Sequence, residues 1–306
     1  MKFSIITPVY NSSLFLREAI ESVLIQSYQD LELVLINDGS TDDSGLICDE
    51  YAEKDSRIHV IHDDNHGVSY ARNKGLDNIT GDWFLFLDAD DILHPHALMR
   101  ISEQISQNKQ VDLIQFALVR YHFTAESIED CGHIALDLSP IEYSKGRHYN
   151  VCAGGSAIRT RVVRENNIRF DTELRLAEDQ VFIHQVITKS ALCSLIPSAL
   201  YYYRPNELSA THTPKTEYMI QTIRSLEMYK RDLPLAVTQF DNVIMSFIYY
   251  MVSDASCPRK LIFDMFEQVS VTSVGRCKRG PKVLYYLSRI SIGLSISIIR
   301  AVKKLF

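Results

Sequence analysis

What the chain lacks narrows the field before any motif is read. No GxGxxG turn follows the first apolar run, where Thr7-Pro8-Val9-Tyr10-Asn11-Ser12 stands instead, and this argues against an NAD-linked oxidoreductase. The six cysteines, at 48, 131, 152, 193, 257 and 277, make no CxxC pair, and the N-terminus reads as a strand rather than a basic, apolar leader. Reduced thiols and a cytoplasmic setting are the expectation. No uncharged run approaches the roughly 20 apolar residues of a bilayer-crossing helix, which argues against a polysaccharide synthase with its own membrane spans. No internal repeat or low-complexity tract stands out. Acidic residues are missing where basic ones gather: between Arg276 and Phe306 there are eight Lys or Arg and no Asp or Glu.

What is present begins with 306 residues at 46% hydrophobic content, enough for a substantial core. The most informative stretch is Asp88-Ala89-Asp90-Asp91, placed directly after Trp83-Phe84-Leu85-Phe86-Leu87. Carboxylates beside a buried strand call for a cation, a donor-rich ligand or both. A hard divalent ion with phosphate on its other side meets that demand. The competing reading is a helix cap, with Asp90 or Asp91 receiving the free N–H groups of a helix that starts near Pro95.

The segments before it alternate between strand and helix patterns. Phe3 to Asn11 reads as an apolar strand stopped by Pro8, followed by a helix capped by Ser12 or Ser13 with Phe15/Leu16, Ala19/Ile20 and Val23/Leu24 on its apolar face. A second strand, Leu31 to Ile36, runs into the polar turn Asn37 to Asp42, where Gly39 permits tight chain reversal. A third, Ile58 to Ile61, leads through His62 to Gly67 into a helix carrying Ala71-Arg72-Asn73, and the fourth feeds Asp88. Such alternation predicts a parallel sheet whose ligands gather beyond the carboxyl ends of the strands. The polar segments after each strand should therefore converge on one crevice.

Four of those segments, Thr7-Pro8-Val9-Tyr10-Asn11, Asn37-Asp38-Gly39-Ser40-Thr41-Asp42, Gly67-Val68-Ser69-Tyr70-Ala71-Arg72-Asn73 and Leu87-Asp88-Ala89-Asp90-Asp91, resemble in order and spacing the inverting glycosyltransferases of family 2. The resemblance resumes at Ala177-Glu178-Asp179 and fades across Tyr201 to Thr211. It implies an α/β fold of the GT-A type: a mostly parallel central sheet flanked by helices, here with a C-terminal helical extension. It implies a catalytic domain over 1–215 and an extension over 216–306. By the same analogy Asp38 accepts from the uracil N–H of a UDP-sugar, Tyr10 lies against the base beside Thr7 and Pro8, Arg72 approaches the nucleotide, and Asp88 contacts the ribose. Asp90 would ligate Mn²⁺ or Mg²⁺ bridging the two phosphates, Arg204 would contact the diphosphate, and His212 would be a further metal ligand or a surface residue. Asn37, where relatives often carry a second Asp, departs mildly from the pattern.

A transferred sugar needs a base for the incoming hydroxyl. In the resembling family that base is the Asp of the Glu-Asp pair, which gives Asp179 the catalytic role and Glu178 the orientation of the acceptor. The alternative for Asp179 is a helix cap before Val181 to Ile187. The implied reaction is inverting transfer of glucose or galactose to a polyprenyl-diphosphate-linked GlcNAc or oligosaccharide in O-antigen or capsule synthesis. An inactive nucleotide-sugar-binding scaffold is the other reading. The stretch from Thr124 to Tyr149 is poorly patterned and reads as a loop-rich acceptor region.

The net charge of −6 is segregated, because the basic surplus of 276–306 leaves −14 for everything before it. Val283, Leu284, Leu287, Ile290, Leu294, Ile298 and Val302 recur there near helical spacing. Such a segment suits the headgroup region of an anionic inner leaflet, or else packs as a helix on the catalytic domain. Attachment to the inner face of the membrane is the expectation; Phe247 to Val252, without basic neighbours, reads as helix core.

Overall fold

The structure, a computed structural model, describes residues 1–120, 136–145, 152–204, 215–254, 256–272, 279–289 and 291–303. It divides into two compact units, one of Met1–Thr172 with Glu178–Glu207 and one of Glu173–Ala177 with Leu208–Phe306.

The first unit is built on one sheet. Its strands are β1 (Phe3–Val9), β2 (Leu31–Asp38), β3 (Ile58–Asp63), β4 (Trp83–Phe86), β5 (Ile92–Leu93), β6 (Val111–Arg120), β7 (Leu136–Leu138), β8 (Ser156–Arg159) and β9 (Leu192–Tyr203). They lie in the order β3-β2-β1-β4-β8-β6-β9-β5, with β7 also on β9. The four strands β3-β2-β1-β4 run parallel, β8 is antiparallel to both neighbours, and β6 and β9 are parallel again. Parallel strands are buried on both faces, and β2 shows no exposed position over its whole length. The helices of this unit are α1 (Leu16–Leu24), α2 (Ser44–Lys54), α3 (Val68–Asn78), α4 (Ala97–Gln107), α5 (Pro140–Lys145), α6 (Thr160–Glu165) and α7 (Glu178–Lys189). Leu16, Ala19, Ile20 and Val23 give α1 the expected buried stripe.

Several local expectations are corrected. Pro8 does not stop β1, which continues to Val9 with Pro8 opposite Ile36. The ladder to β4 already ends at Ile6 and Phe86, so Pro8 lies where the strand is paired on one side only, a place that tolerates a missing N–H. Neither Ser12 nor Ser13 caps α1, which starts at Leu16. Both instead use their amides, Ser12 to Ser44 Oγ at 2.8 Å and Ser13 to Asp42 Oδ2 at 3.0 Å, tying the first loop to the second. Neither Asp90 nor Asp91 is the N-cap of α4, because β5 intervenes and His96 precedes that helix. Asp179 lies inside the first turn of α7 and is not its cap. Within 124–149, β7 and α5 give part of the stretch read as loop regular structure, and the rest of it is outside the described residues.

The second unit is helical: α8 (Thr216–Asp232), a 3-10 turn at Pro234–Ala236, α9 (Val237–Ser253), α10 (Arg259–Gln268), α11 (Arg279–Ser288) and α12 (Ile292–Lys303). Pro234–Ser253 is long and apolar enough to cross a membrane by length and composition, but 50% of that window is buried in the protein. α8, α10, α11 and α12 all pack on α9, and its buried Asp241 pairs with Lys230 at 2.5 Å and accepts from the Thr272 amide at 2.8 Å. α9 is the core of this unit, as its composition suggested. The helices α11 and α12 use one face for packing, burying Leu284, Tyr285, Ile296 and Ile299. Arg300 closes the arrangement by donating to the carbonyls of Val252, Asp254 and Cys257 around the end of α9, where basic groups complement the helix dipole.

Candidate active site

The polar segments that follow β1 and β2 are joined by direct bonds. Asn11, at φ 48°, accepts from the Thr41 amide through Oδ1 at 2.8 Å and donates its own amide to Ser40 Oγ at 3.1 Å. Left-handed backbone is tolerable for Asn and uncommon for most residues. Gly39 at φ 70° brings the same turn against the β3 loop, where a Cβ would stand 2.6 Å from Asn65 N. Asp38, buried at the end of β2, accepts from His66 N at 2.9 Å and Gly67 N at 2.8 Å, one on each oxygen. It thus fixes the start of α3 and keeps a second lone pair on each oxygen for a ligand. Tyr10 leaves half of its surface exposed beside these groups in the chain. Thr7 is buried, and its hydroxyl has no hydrogen-bond partner among the described residues.

The acids gather around one cation. Arg72, on α3, is 4% exposed and directs its guanidinium to three carboxylates: Asp88 at 3.1 Å, Glu178 at 3.3 Å and Asp179 at 2.5 Å. Its plane also lies over Phe170, 5.3 Å from the ring centroid. Burial alone would lower the pKa of this guanidinium, but the three carboxylates outweigh it and hold the group charged. Arg72 is therefore enclosed by acids in this structure, a role that the sequence reading did not give it. Burial pushes Glu178 up to about 7, aided by the adjacent Asp179. Burial also raises Asp179, against the pull of Arg72 and of the Ala153 amide, which donates to Oδ2 at 2.9 Å. Ala177, just before the pair, holds φ 60°, a strained value for a residue with a Cβ.

The Asp88-Asp91 segment is a turn in which Asp91 N donates to Asp88 O at 3.0 Å. Asp88 and Asp90 keep part of their surface accessible, whereas Asp91 is 1% exposed. Burial, then the charge of Asp88, pushes the Asp91 carboxyl up to about 7. Arg204 follows the end of β9 and bonds Glu18 Oε2 at 2.6 Å and the Asp90 carbonyl at 3.0 Å. His212 lies outside the described residues.

Among the described residues no group of three His, Cys, Asp or Glu closes a cage for a metal ion. That arrangement still fits Mg²⁺ or Mn²⁺, because such an ion commonly takes one or two carboxylates and completes its shell with substrate phosphates. The oxygen donors of Asp88 and Asp90 suit that chemistry.

Some participants escaped the sequence reading. Asn73 clamps the backbone of Phe170, donating to its carbonyl and accepting from its amide, both at 2.9 Å. Phe170 stacks on Phe182 of α7 with 4.0 Å between centroids, so Asn73 helps to set where α7 begins. The Gly154-Gly155 pair after Ala153 was the available signal for the backbone that holds Asp179.

The sequence model of the family described as Glycosyl transferase family 2 matches residues 4–161, just over half of the chain. The chain is 32% identical over 219 residues to the uncharacterized glycosyltransferase EpsJ of Bacillus subtilis (strain 168), covering 69% of this chain and 63% of that one. It is 30% identical over 274 residues to the minor teichoic acid biosynthesis protein GgaB of the same organism, covering 87% of this chain and 30% of that one. It thus spans under two thirds of the length of these relatives. Among solved structures, S. aureus TarS 1-349 in complex with UDP-GlcNAc superposes with a TM-score of 0.73 at 21% identity, covering 99% of this chain and 91% of that one. The fold is that of TarS, the GT-A fold.

Proposed function

The chain belongs to glycosyl transferase family 2, and on that premise we propose that it transfers a hexose, glucose or galactose, from a UDP-sugar to a glycan acceptor with inversion. The acceptor in this proposal is a polyprenyl-diphosphate-linked GlcNAc or oligosaccharide of a bacterial surface polysaccharide such as O-antigen or capsule. The observation that carries the reading is the cluster in which Arg72 holds Asp88 beside the Glu178-Asp179 pair. It brings a donor-side acid and a base candidate to one point from positions that are remote in the chain. TarS and the GDP-Man- and Mn²⁺-bound mannosyltransferase PcManGT of Pyrobaculum calidifontis, at a TM-score of 0.56, carry nucleotides on related folds.

In this mechanism Tyr10 supports the base, Asp38 accepts from the uracil N–H, and Asp88 meets the ribose. Asp90 would hold Mn²⁺ or Mg²⁺, which supplies charge neutralisation at the leaving diphosphate. Asp179 accepts the proton of the acceptor hydroxyl as its oxygen attacks the anomeric carbon opposite the departing UDP, turning an α donor linkage into a β bond. Each Asp179 oxygen already accepts one bond, from Arg72 or from Ala153. Its lone pairs are thereby aimed before the acceptor arrives.

The outer face of α11 and α12 is the proposed contact with anionic lipid. Arg279, Val283 and Tyr286 are exposed along one side of α11, Arg289 is exposed just past its end, and Leu294 and Ile298 are exposed along one side of α12. Basic and apolar groups interleaved on an exposed helical face suit a headgroup layer. Packing on α9 and membrane contact thus use opposite faces of the same helices.

The deciding experiment is UDP release from a panel of UDP-sugars, UDP-GlcNAc included, with Mn²⁺ and with or without the lipid-diphosphate GlcNAc acceptor. Release with glucose or galactose donor, stimulated by acceptor, supports the proposal. UDP binding without release from any donor, with several acceptors tried, would favour the inactive scaffold.

A further inference from the structure

Asp91 is the one acid of its turn that the donor reading leaves without a task. A carboxylate this deeply buried costs several kcal/mol unless hydrogen bonds satisfy it. Two do: the Tyr201 hydroxyl donates to Oδ2 at 2.7 Å and the Arg204 amide to Oδ1 at 2.8 Å. The Tyr201 oxygen is used twice, since it also accepts from the Asp88 amide at 3.1 Å. Arg204 Nε reaches the Asp90 carbonyl at 3.0 Å. Each of the three acids is therefore tied to the end of β9, Asp88 by its amide, Asp90 by its carbonyl and Asp91 by its side chain.

Tyr201 is itself 1% exposed, and a Cβ on Gly154 would stand 3.1 Å from both its Cζ and its hydroxyl. Its phenol end thus packs against the residue next to Ala153, whose amide holds Asp179. One rigid ring touches both halves of the site. Neighbouring acids on a short turn tend to splay apart as they ionise, and a phenol that donates and accepts with one atom resists that without adding a charge.

We propose that Tyr201, acting through Asp91 and the Asp88 amide, is a positioning residue that orients Asp88 toward the donor's ribose and Asp90 toward its diphosphate and divalent cation. This rests on the UDP-sugar reading above. Tyr201 touches no reacting atom; it acts on the acids that do.

The test compares the full chain with Tyr201→Phe, which keeps the ring and deletes both bonds, and with Asp91→Asn, which retains one acceptor. UDP binding is followed by calorimetry, Mn²⁺ binding in the presence of UDP by electron paramagnetic resonance, and stability by thermal unfolding. The expected result is a folded Tyr201→Phe protein whose Mn²⁺ affinity falls about tenfold, with Asp91→Asn between it and the unaltered chain. A lower melting temperature with unchanged Mn²⁺ affinity in both variants would reduce Tyr201 to a packing residue and overturn the inference. Absence of UDP binding by the unaltered chain would instead overturn the donor reading, and this inference with it.

Discussion

Arg72 Nη1 lies 2.5 Å from Asp179 Oδ1, and this ion pair joins residues 107 positions apart. It places the proposed base against a cation that also holds Asp88 and Glu178. Three carboxylates depend on one guanidinium, and several consequences can be measured.

Replacing Arg72 with alanine leaves those carboxylates facing one another in a buried site. Removal of one partner from a buried ion pair typically costs about 3–5 kcal/mol, so the urea midpoint of Arg72→Ala should fall by that equivalent. Arg72→Lys should recover part of it, since a single ammonium cannot fork toward three acids. A midpoint unchanged in Arg72→Ala would mean that the acids are neutral.

The pH dependence follows from the same pair. Asp179 must be ionised to accept a proton, and its pKa is raised by burial, with Glu178 beside it at about 7. The acid limb of the kcat/KM profile should therefore lie above the usual 3.8 of an aspartate. Stability runs the other way: the folded chain keeps a proton on Glu178 that the unfolded chain releases above 4.5. That contribution is full below 4.5 and is lost as the pH rises through about 7. An acid limb at or below 3.8 would remove the buried Asp179 as base.

Asp179→Asn should bind UDP as the unaltered chain does while turnover drops by roughly 10²–10⁴-fold, the range for a missing general base. Near-normal turnover would move the base elsewhere. The amide still accepts from Arg72 or Ala153, so unfolding is not the expected reason for the loss.

Asp90→Ala should lose Mn²⁺-stimulated turnover and keep the fold, because Arg204 holds the turn through the Asp90 carbonyl, which the substitution leaves in place. Turnover that survives in a chelator would sink the metal assignment.

Deleting 276–306 cannot test membrane contact cleanly, since Leu284, Ile296 and Ile299 are core residues of their unit. Substitutions on the outer face can. Arg279→Glu with Tyr286→Ser should weaken sedimentation with phosphatidylglycerol vesicles by at least about tenfold, each basic residue near an anionic surface being worth roughly 1 kcal/mol. Equal sedimentation of the two proteins would assign the basic surplus to solubility alone.

Much of this architecture was legible in residue order. Alternation of apolar and polar segments gave the parallel half of the sheet, because burial on both faces writes a strand as a continuous apolar run. The same order put Asp38 and Asp88 at strand ends. Local signals did worse where two partners compete for one group: Ser12 and Ser13 suit a helix cap by residue type, but the neighbouring loop takes their amides. The edge strands β5 and β7, short and paired only through β9, carry too little pattern to be read.

The sequence alone pointed to the family through its motifs, and it determined the alternation of strands and helices in the first half and the supply of acids, since periodicity fixes which segments must be buried. The tertiary structure decided what those acids do. It enclosed Arg72 among three carboxylates, gave Asp91 to Tyr201, and turned two faces of the C-terminal helices in opposite directions. Each of these is a choice among distant partners, and the free energy of a buried charge depends on which partner arrives, information that no local stretch of chain contains.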